Sequence, residues 1–397
     1  MAKEKQLVPP LRFPVFDGLW SKIRLEKVST FYSGGTPTSS NKNYYEGNIP
    51  FIGSGNIFDS KVDKHINQKA LKNSSAKLVE EGDILYALYG ANSGEVSISK
   101  INGAINQAIL CIKTTQNKNF LYQLLSNRKE SIVKKYLQGG QGNLSSKIIK
   151  KLYLNFPSLP EQQKIANFLT AIDTRIQNLE KKKSALAQYK KGITQKIFKQ
   201  EIRFKNNDGS EFPKWEKRKF NYFLSIPAKI TPNNIEVEKI LTLKLHLKGV
   251  HLNERTDGLK IGSTKYIKRE KGQFIYGKQN LFNGAFAIIP EQFDGYITSG
   301  DVPALDIDSN KINSKFFYYF LARKSYYKRL ENIASGSGSK RIHEKGLLDL
   351  MLSLPCREEQ TKIANFLSAI DEQINLVNQQ IQHTKTYKKG LLQQMFV

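Results

Sequence analysis

The sequence predicts a mixed α/β protein with two globular domains and two long helices that pair with each other, arranged as an internal repeat. Three observations predict this organisation. A segment occurs twice at an offset of 198 residues, both copies carry a seven-residue apolar period, and strand-like runs with glycine-marked turns fill the remaining regions. The predicted globular domains are residues 1–153 and 201–351, and the predicted repeated helices are residues 154–200 and 352–397.

The repeat is most evident in a segment that begins at Glu161 and again at Glu359. The first copy reads EQQKIANFLTAID and the second reads EQTKIANFLSAID. At the same offset the sequence Tyr-Lys-Lys-Gly starts at Tyr189 and at Tyr387, and no gap is needed between these matches. Two copies of roughly half the chain indicate two equivalent modules, because a solenoid needs at least three short repeats.

Both repeated segments are predicted to form long helices. A proline lies just before each segment, and a glutamate lies in the predicted first turn, where its charge suits the helix dipole. Apolar residues recur every seven positions, which is typical of helices that pair in a coiled coil. An ordinary amphipathic helix packed on its own domain is the alternative. The predicted coiled-coil residues are Ile165, Ile172, Leu179, Leu186, Ile193, Ile363, Ile370, Val377 and Leu391.

The two regions outside the helices resemble each other less, although their elements follow a similar order. Leu11-Arg12-Phe13 and Trp20 of the first region correspond to Ile202-Arg203-Phe204 and Trp215 of the second. Each region then has short apolar runs after glycine-marked turns, a helix-like stretch and a glycine-rich loop, which predicts a mixed α/β domain. The repeated helices match closely, whereas the globular regions differ in sequence. The helices are therefore expected to bind each other and fixed partners, and the two globular regions to recognise different targets.

The chain is strongly basic. Lysine and arginine number 62 against 35 aspartates and glutamates, which gives a net charge of +27 at pH 7. Such an excess repels itself unless a polyanion neutralises it, so the charge favours a nucleic-acid partner. The alternative is a generically basic protein from an AT-rich genome. The hydrophobic fraction of 39% supports folded cores and argues against general disorder.

The expected compartment is the cytoplasm. The two cysteines, Cys111 and Cys356, are far apart and lack CxxC spacing, which excludes a disulfide framework and suits a reducing environment. The first ten residues lack the apolar stretch of a signal peptide. No apolar run approaches the ~20 residues that cross a bilayer.

No catalytic site and no metal site are predicted in this chain. Asn48-Ile49-Pro50-Phe51 resembles a methyltransferase motif only faintly, because it lacks the second proline and a nearby cofactor loop. Neither residues 90–94 nor residues 336–340 fit the GxxxxGK[ST] spacing of a phosphate-binding loop. The histidines lack the i, i+4 spacing of a helical metal site.

The layout resembles the specificity subunit of type I restriction–modification systems over essentially the full chain. The resemblance rests mainly on the pattern Pro-x-x-x-Glu-Gln-x-x-Ile-Ala-x-Phe-Leu, which spans residues 157–169 and again 355–367. Gly34-Gly35-Thr36-Pro37 and Gly82-Asp83-Ile84-Leu85 of the first half support it.

The second half departs from the family's pattern at two places. Ser225-Ile226-Pro227-Ala228 has no double glycine, and Gly272-Gln273-Phe274-Ile275 stands where Gly-Asp-Ile-Leu is expected. These departures leave the expected architecture unchanged but limit the transfer of individual residues to the second domain.

The resemblance implies two target-recognition domains, each of which reads one half of a split DNA sequence. It also implies that the two helices pair antiparallel, so that the repeat has approximate two-fold symmetry. The implied partners are double-stranded DNA, two modification subunits that use S-adenosylmethionine to methylate adenines, and restriction subunits that use ATP and Mg²⁺. The chain itself is then a non-catalytic recognition subunit that holds no cofactor.

Loops that bear small, amide and cationic residues are the candidates for DNA contact, because such side chains reach base edges and phosphates. An ordinary surface turn is an equal alternative for each loop residue. Lys147, Lys150 and Lys151 are predicted to contact phosphates, whereas the lysines at 181–183 and 190–191 are explained as well by a solvated helix face. The loop candidates are Ser33, Gly34, Gly35, Thr36, Ser54, Asn56, Asn92, Gln141, Asn143, Lys278, Gln279, Asn280, Ser339, Lys340 and Arg341.

Two other functions compete with the recognition subunit. A single-chain enzyme that methylates or cuts DNA would need motifs that the sequence lacks. A chromosome-binding protein without sequence preference would gain nothing from two different globular domains. Activity of the isolated chain and competition with scrambled DNA distinguish these alternatives.

Overall fold

The computed structural model describes residues 8–136, 143–254, 264–336 and 339–397. The chain divides into two compact units, one formed by residues 1–180 together with 379–397, the other by residues 181–378. The division falls inside both long helices, so each unit contains a globular part and one half of each helix.

The first unit combines short strands and short helices. Its strands are β1 (Ser21–Arg24), β2 (Ser29–Ser33), β3 (Ile49–Ile52), β4 (His65–Ile66), β5 (Lys77–Val79), β6 (Ile84–Ala87), β7 (Val96–Ile98), β8 (Gly103–Ile105), β9 (Ile109–Thr114) and β10 (Tyr153–Phe156). Its short helices are α1 (Gln68–Lys72), α2 (Lys118–Asn127), α3 (Lys129–Tyr136) and α4 (Ser146–Lys150). The first long helix, α5 (Leu159–Phe198), follows β10.

Two sheets and a strand pair organise the first globular part. An antiparallel sheet has the order β2-β9-β6-β7, with Leu85 opposite Cys111 at its centre. The second sheet has the order β4-β3-β8-β5 and contains a parallel pair in which Phe51 lies opposite Ala104. β1 pairs with β10. The apolar runs that follow glycine turns in the sequence are therefore strands, and β6 is wholly buried.

The second unit repeats this design with shorter strands. Its strands are β11 (Glu216–Lys219), β12 (Leu224–Ser225), β13 (Leu241–Lys244), β14 (Gly249–Leu252), β15 (Tyr266–Lys268), β16 (Phe274–Tyr276), β17 (Phe286–Ile288), β18 (Ile297–Ser299), β19 (Ala304–Ile307) and β20 (Met351–Leu354). Its helices are α6 (Ser314–Leu321), α7 (Lys324–Tyr327) and α8 (Glu344–Leu348), and the second long helix is α9 (Arg357–Met395).

The strand order of the second unit matches that of the first. The sheet β12-β19-β16-β17 corresponds to β2-β9-β6-β7, and the pair β11-β20 corresponds to β1-β10. A single parallel bridge between Ile240 and Ile297 stands where the first unit has the parallel pair β3-β8. The two globular parts thus share one topology, although their sequences differ.

Equivalent turns precede β6 and β16. Gly82 and Gly272 have φ angles of +89° and +81°, a conformation that glycine adopts without strain. One residue later, the side chains of Asp83 and Gln273 accept hydrogen bonds, at 2.9 and 3.0 Å, from the backbone N–H three residues earlier in the chain. Gln273 therefore takes the structural role of Asp83, which explains how the second half departs from the family's pattern without a change of fold.

The two long helices pair antiparallel. In the first unit, Asp173 of α5 pairs with Lys388 of α9, and Glu180 pairs with Lys385, each at 2.6 Å. The number of the partner falls as the number in α5 rises, so the helices run in opposite directions. The second unit shows the same direction. The predicted mixed α/β fold with an antiparallel helix pair and an internal repeat is confirmed.

Each long helix begins later than the repeated segment that contains it. β10 and β20 lie at the start of the two repeated segments, and buried Pro157 and Pro355 follow them. Proline disfavours helical backbone in the preceding residue, so the helices start at Leu159 and Arg357. The domain limits 1–153, 154–200, 201–351 and 352–397 stay predictions, because the compact units divide both helices.

Each unit has its own apolar core, to which the helix seam belongs. In the first unit, Phe120 and Leu124 of α2 pack in one cluster with Ile165 and Leu169 of α5. In the second unit the cluster is richer in aromatic rings, and α6 packs against the start of α9 in the same way. In the described ranges, no helix is long and apolar enough to cross a membrane.

Candidate nucleic-acid interface

A buried glutamate in the first repeated segment anchors the residues that precede β1. Glu161 is 1% exposed and accepts hydrogen bonds from Nε and Nη2 of Arg12 at 2.7 and 2.6 Å. Nε1 of Trp20 lies 3.4 Å from the same carboxylate. The hydrogen bond to Glu161 raises the pKa of Arg12. The first turn of α5 therefore holds the start of the globular part in place.

The second unit contains the same arrangement. Glu359 is fully buried and accepts from Nε and Nη2 of Arg203 at 3.1 and 2.7 Å, and from Nε1 of Trp215 at 2.9 Å. The hydrogen bond to Glu359 likewise raises the pKa of Arg203. The matched Arg and Trp positions were visible in the sequence, but their contact with the repeated glutamate was not predicted.

The glutamine after each glutamate fastens a second element to the long helix. Gln162 donates to the carbonyl of Pro157 (2.9 Å) and accepts from the backbone N–H of Asn117 (3.1 Å), the residue that caps α2. Gln360 accepts from the backbone N–H of Asn313 (2.7 Å), which caps α6. A cap residue satisfies free N–H groups of a helix start. The Glu-Gln pair thus holds the start of the globular part and the start of its helix α2 or α6 against the long helix.

An aspartate in the first helix joins three elements of the first unit. The carboxylate of Asp173 lies 2.6 Å from Nζ of Lys388 on α9 and accepts from Nε2 of Gln123 on α2 at 2.7 Å. All three side chains are at least partly buried. The helix pair and the globular part are therefore held by one polar group.

Its counterpart in the second unit is Asp371. Lys190 of α5 lies 2.6 Å from both carboxylate oxygens, and the hydroxyl of Tyr319 on α6 donates at 2.7 Å. Tyr319 replaces the glutamine of the first unit, but it reaches the same carboxylate. This pair of aspartates was not among the predicted site residues, although both lie in the repeated segment.

The seven-residue stripe lies on the inner side of the helices. Ile165, Ile172, Ile363, Ile370, Val377 and Leu391 are buried, and Leu179, Leu186 and Ile193 are half-buried. Leu169 and Leu367, four residues after the first member of each stripe, are fully buried. The buried stripe is therefore wider than a strict seven-residue period, because each helix also faces its globular part.

The double glycine after β2 has a packing role. A Cβ on Gly34 would lie 1.7 Å from a carbonyl oxygen of β8, and one on Gly35 would lie 2.6 Å from a neighbouring side chain. Glycine is needed wherever a backbone approaches this closely. Ser33 ends β2 and is half-buried, whereas Thr36 is exposed and donates to Gln107 (2.7 Å). A contact of these residues with DNA stays a prediction.

Two other loop candidates of the first unit lie together. Nδ2 of Asn92 donates to the carbonyl of Ser54 at 3.1 Å, whereas Asn56 turns to Asp59 (2.9 Å). The three candidates thus come from the turn after β3 and the turn between β6 and β7. Their roles in DNA binding stay predictions.

Asn143 and Gln141 belong to the glycine-rich loop of the first half. Asn143 is exposed. Gln141 lies outside the described residues.

The three lysines predicted to contact phosphates lie on or just after α4. Lys147 and Lys151 are exposed. Lys150 is half-buried, with its ammonium group 5.8 Å from the centre of the Phe31 ring. Ser145 caps the helix and so fixes the direction in which these side chains leave it.

Lys151 also lines a basic groove of the first unit, with a volume of about 330 Å³. Its cationic lining residues are Lys22, Arg128, Lys135 and Lys151, and its described lining contains no carboxylate. Burial lowers the pKa of Arg128, and Nζ of Lys22 lies 5.4 Å from the ring centre of Tyr153. A groove with this charge attracts anions such as the phosphate groups of nucleic acids.

Three candidates of the second unit lie together. Nη2 of Arg341 lies 2.9 Å from the side-chain amide of Gln279, and the N–H of Ile342 donates to the carbonyl of Lys278 (2.9 Å). Nζ of Lys278 lies 3.3 Å from Glu344. The turn after β16 and the segment before α8 thus form one surface.

The remaining candidates of the second unit point elsewhere. Lys340 pairs with Glu331 (2.9 Å), the side chain of Asn280 accepts from that of Asn283 (3.1 Å), and Ser339 is exposed. Lys340 is therefore partly neutralised, in contrast to Lys147 and Lys151.

Two stretches of the chain, residues 18–188 and 246–385, match the family model of the type I restriction modification DNA specificity domain. The chain belongs to this family. The prediction of a type I restriction–modification specificity subunit is thereby confirmed. In this specificity subunit each matched stretch runs from a globular part into a long helix and includes one Glu-Gln pair.

Curated relatives of this specificity subunit extend over nearly its whole length. The type I restriction enzyme MjaVIII specificity subunit of Methanocaldococcus jannaschii is 24% identical, over 94% of this chain and 91% of that protein. The MjaIX specificity subunit of the same organism is 23% identical over the same shares. The EcoR124I/EcoR124II specificity subunit of Escherichia coli is 25% identical over 38% of this chain and 40% of its own length.

Solved structures share the fold of this specificity subunit. The type I restriction–modification S subunit from M. genitalium superposes with a TM-score of 0.62 at 15% identity and covers 98% of this chain and 99% of its own. A chain from a study of complex assembly and conformational transition of the type I R-M system has a TM-score of 0.52 at 14% identity, with 94% and 96% coverage. Among the described residues, no group of three or more His, Cys, Asp or Glu side chains is arranged to hold a metal ion.

Proposed function

We propose that this specificity subunit binds double-stranded DNA in the cytoplasm, that each unit reads one half of a bipartite target, and that the chain directs methyltransferase and restriction subunits to that target. Its contribution is recognition, without catalysis. S-adenosylmethionine, ATP and Mg²⁺ then belong to the partner subunits, and this chain holds none of them.

One observation carries the proposal. The long helices and the contacts that anchor the globular parts to them occur twice, whereas the loops of the two globular parts differ. Arg12 with Glu161 has its counterpart in Arg203 with Glu359. The loop after β2 has a double glycine that packs on β8, whereas the loop after β12 has Ile226, which is exposed. Equivalent helices and anchoring contacts therefore support two different loop surfaces. Two different half-sites require such an arrangement.

Charge and surface chemistry support DNA as the target. The net charge is +27, and the groove around Lys151 is lined by Lys22, Arg128, Lys135 and Lys151, of which Arg128 also donates to the main-chain oxygen of Val397 (2.7 Å). Phosphate contacts position a protein on DNA, while amide and arginine side chains such as Gln279 and Arg341 can read base edges. Both kinds of residue are present in this chain.

The outer faces of the helices support two copies of one partner subunit. Tyr189 and Tyr387, at equivalent repeat positions, are 52% and 58% exposed. Gly192 and Gly390 lie in helix interiors, and apart from the adjacent residues and the backbone of their own helix no described atom lies within 4 Å of a Cβ built on either. Glycine at such a position destabilises a helix by about 1 kcal/mol relative to alanine. Nothing within the described chain requires it.

A partner that approaches the helix backbone closely would explain both glycines. Because the Tyr-Lys-Lys-Gly sequence is the same in the two helices, the same partner chain would bind twice. We assign this role to two methyltransferase subunits, one for each repeat. This assignment agrees with a solved structural neighbour that comes from a study of type I complex assembly.

The recognition role is tested with a chimera. Residues 21–116, which lie between Trp20 and the cap residue Asn117, are replaced by the corresponding residues of the MjaVIII relative. Methylated adenines are then mapped in cells that contain the methyltransferase subunits. We expect one half of the methylated sequence to change and the other half to stay, because only one unit has new loops.

The same experiment with residues 216–312 should change the other half-site. A change in both half-sites, or in neither, would contradict the proposal of one half-site for each unit. The non-catalytic role is tested with the chain alone, supplied with S-adenosylmethionine, ATP, Mg²⁺ and DNA. Methyl transfer or ATP hydrolysis without partner subunits would show that the chain is an enzyme.

A further inference from the structure

A cleft in the second unit has an unusual floor. It lies between the loop after β12, the end of β15 and the start of α8, and its volume is about 260 Å³. Arg269, immediately after β15, lines it and is only 3% exposed. The other charged residues of its lining are Lys229, Lys265, Lys278 and Glu344.

Arg269 lacks the partner that a buried guanidinium usually has. Nε donates to the hydroxyl of Thr298 (2.7 Å) and Nη2 donates to the carbonyl of Val302 (3.0 Å). Within the described ranges, no carboxylate lies at ion-pair distance from it. Burial lowers the pKa of Arg269 to about 10, and Glu344 raises it only in part. Buried charges are usually paired with an opposite charge, whereas the hydrogen-bond partners described for Arg269 are two neutral groups.

The first unit shows that the fold does not require this arginine. The equivalent turns at Gly82 and Gly272 align the two sequences, and Val79 then occupies the position of Arg269. Val79 is 2% exposed and packs in an apolar cluster. The second unit therefore replaces a buried aliphatic side chain by a buried cation at one position of a shared topology.

The rim adds positive charge. Lys278 is balanced by Glu344 at 3.3 Å, but Lys229 and Lys265 are exposed and form no ion pair in the described part of the chain. Hydrogen-bond donors and positive charge at the floor and at the rim suit a small, dense anion such as a phosphate group.

We infer that this cleft holds a phosphate group of the DNA backbone and so anchors the second unit beside its half-site. The inference rests on the proposed function. Its link to DNA is Lys278, which lines the cleft and also belongs to the turn after β16 that carries Gln279 and contacts the segment of Arg341. A phosphate in the cleft would place the neighbouring bases close to these amide and guanidinium groups.

The test uses the complex of this chain with methyltransferase subunits and a duplex that carries the mapped target. Lys229→Ala/Lys265→Ala changes only exposed rim residues, and Arg269→Met keeps most of the apolar stem. Lys315→Ala/Lys324→Ala, which removes two exposed lysines elsewhere in the unit, is the matched control. DNA affinity is measured by fluorescence anisotropy at several salt concentrations.

We expect both cleft variants to weaken the binding of cognate and of scrambled DNA by about the same factor, roughly 5- to 10-fold. The slope of log affinity against log salt concentration should fall by about 1. The methylated sequence should stay unchanged, and the control should bind as the wild type does. A loss confined to cognate DNA would mean that the cleft reads bases, and unchanged affinity in both variants would mean that it does not hold DNA. Either result overturns the inference.

Single methylphosphonate substitutions in the duplex identify the phosphate. One substitution should weaken the wild-type complex and leave the Arg269→Met complex unaffected, because both changes remove the same contact. If the natural ligand is instead a free phosphate or a nucleotide, it should bind the complex without DNA and raise its melting temperature. Arg269→Met would then abolish this shift and leave the DNA affinity constant, and that outcome also overturns the inference. If the wild-type complex does not prefer its target over scrambled DNA, the proposed function fails; if only the cleft variants lack an effect, the proposed function stands.

Discussion

The ammonium group of Lys190 lies 2.6 Å from both carboxylate oxygens of Asp371. The same carboxylate receives the hydroxyl of Tyr319, so one side chain connects both long helices with the globular part of its unit. Because the aspartate is a little over one-third exposed, the ion pair itself contributes little, and the buried tyrosine hydroxyl is the group that depends on it most.

Replacement of Asp371 should therefore destabilise the second unit through its hydrogen bonds. We expect Asp371→Ala to lower the free energy of unfolding by about 1–2 kcal/mol, measured by urea denaturation, because the Tyr319 hydroxyl loses its nearer, charged acceptor and keeps only Oγ of Ser368 at 3.3 Å. Asp349→Ala, which breaks an exposed pair with Lys219, is the control and should change stability by less than about 0.5 kcal/mol. Equal effects of the two changes would show that the buried hydroxyl is not the source.

The buried glutamates should matter more. Glu161→Gln keeps the shape but removes the charge that balances Arg12, and we expect a loss of about 3 kcal/mol. Hydrogen exchange should rise in the first unit, and Glu359→Gln should produce the same change in the second. Glu26→Gln, which alters a more exposed pair with Arg24, serves as the control. Exchange that rises equally in both units after either change would contradict this assignment.

The lysines of α4 should bind phosphates without regard to sequence. Changing Lys147, Lys150 and Lys151 to alanine should weaken the binding of all DNA about equally and lower the salt slope by about 2–3. Lys181→Ala/Lys182→Ala/Lys191→Ala removes three exposed lysines from α5 and should have little effect. Loss of affinity for the cognate site alone would assign the α4 lysines to base reading instead.

The two helix glycines allow stability and assembly to be separated. Gly192→Ala and Gly390→Ala should each stabilise the chain by about 0.4–1 kcal/mol, because there is open space for the methyl group. The same changes should weaken the complex with methyltransferase subunits in gel filtration. Gly346→Ala, in α8 and also next to open space, should stabilise the chain without this loss. Assembly that survives both helix changes would mean that the partner does not bind there.

The sequence-based predictions were most successful where a pattern is local or repeated. The two copies of the Glu-Gln segment revealed the frame, and glycine-marked apolar runs revealed β6, β16 and the strands near them. The parallel pairing of β3 with β8 joins residues about fifty positions apart and has no local signal. The repeated segments are not helical throughout, because the strands β10 and β20 lie inside them and the helices begin at Leu159 and Arg357.

The site was harder to predict than the fold. Arg12 and Glu161 are distant in sequence, so their contact becomes visible only after folding, although the matched Arg and Trp positions in both halves were a usable signal. The double glycine at Gly34 and Gly35 was a candidate for close approach to DNA, and the structure shows a close approach to the protein's own backbone. Arg269 is a cation where the first half has Val79 at the equivalent position. An alignment of the two halves would therefore have identified it as an exception.

The near-identical helix starts have a genetic consequence. A crossover between the two gene segments that encode residues 161–173 and 359–371 would delete 198 codons in frame. The shortened product would keep one Arg-Trp-Glu arrangement, one aspartate and one lysine of the interhelical pair. Two copies of such a product carry the complementary charges needed to join, so recombination within a single gene would replace one chain with two different globular parts by a homodimer with two identical ones.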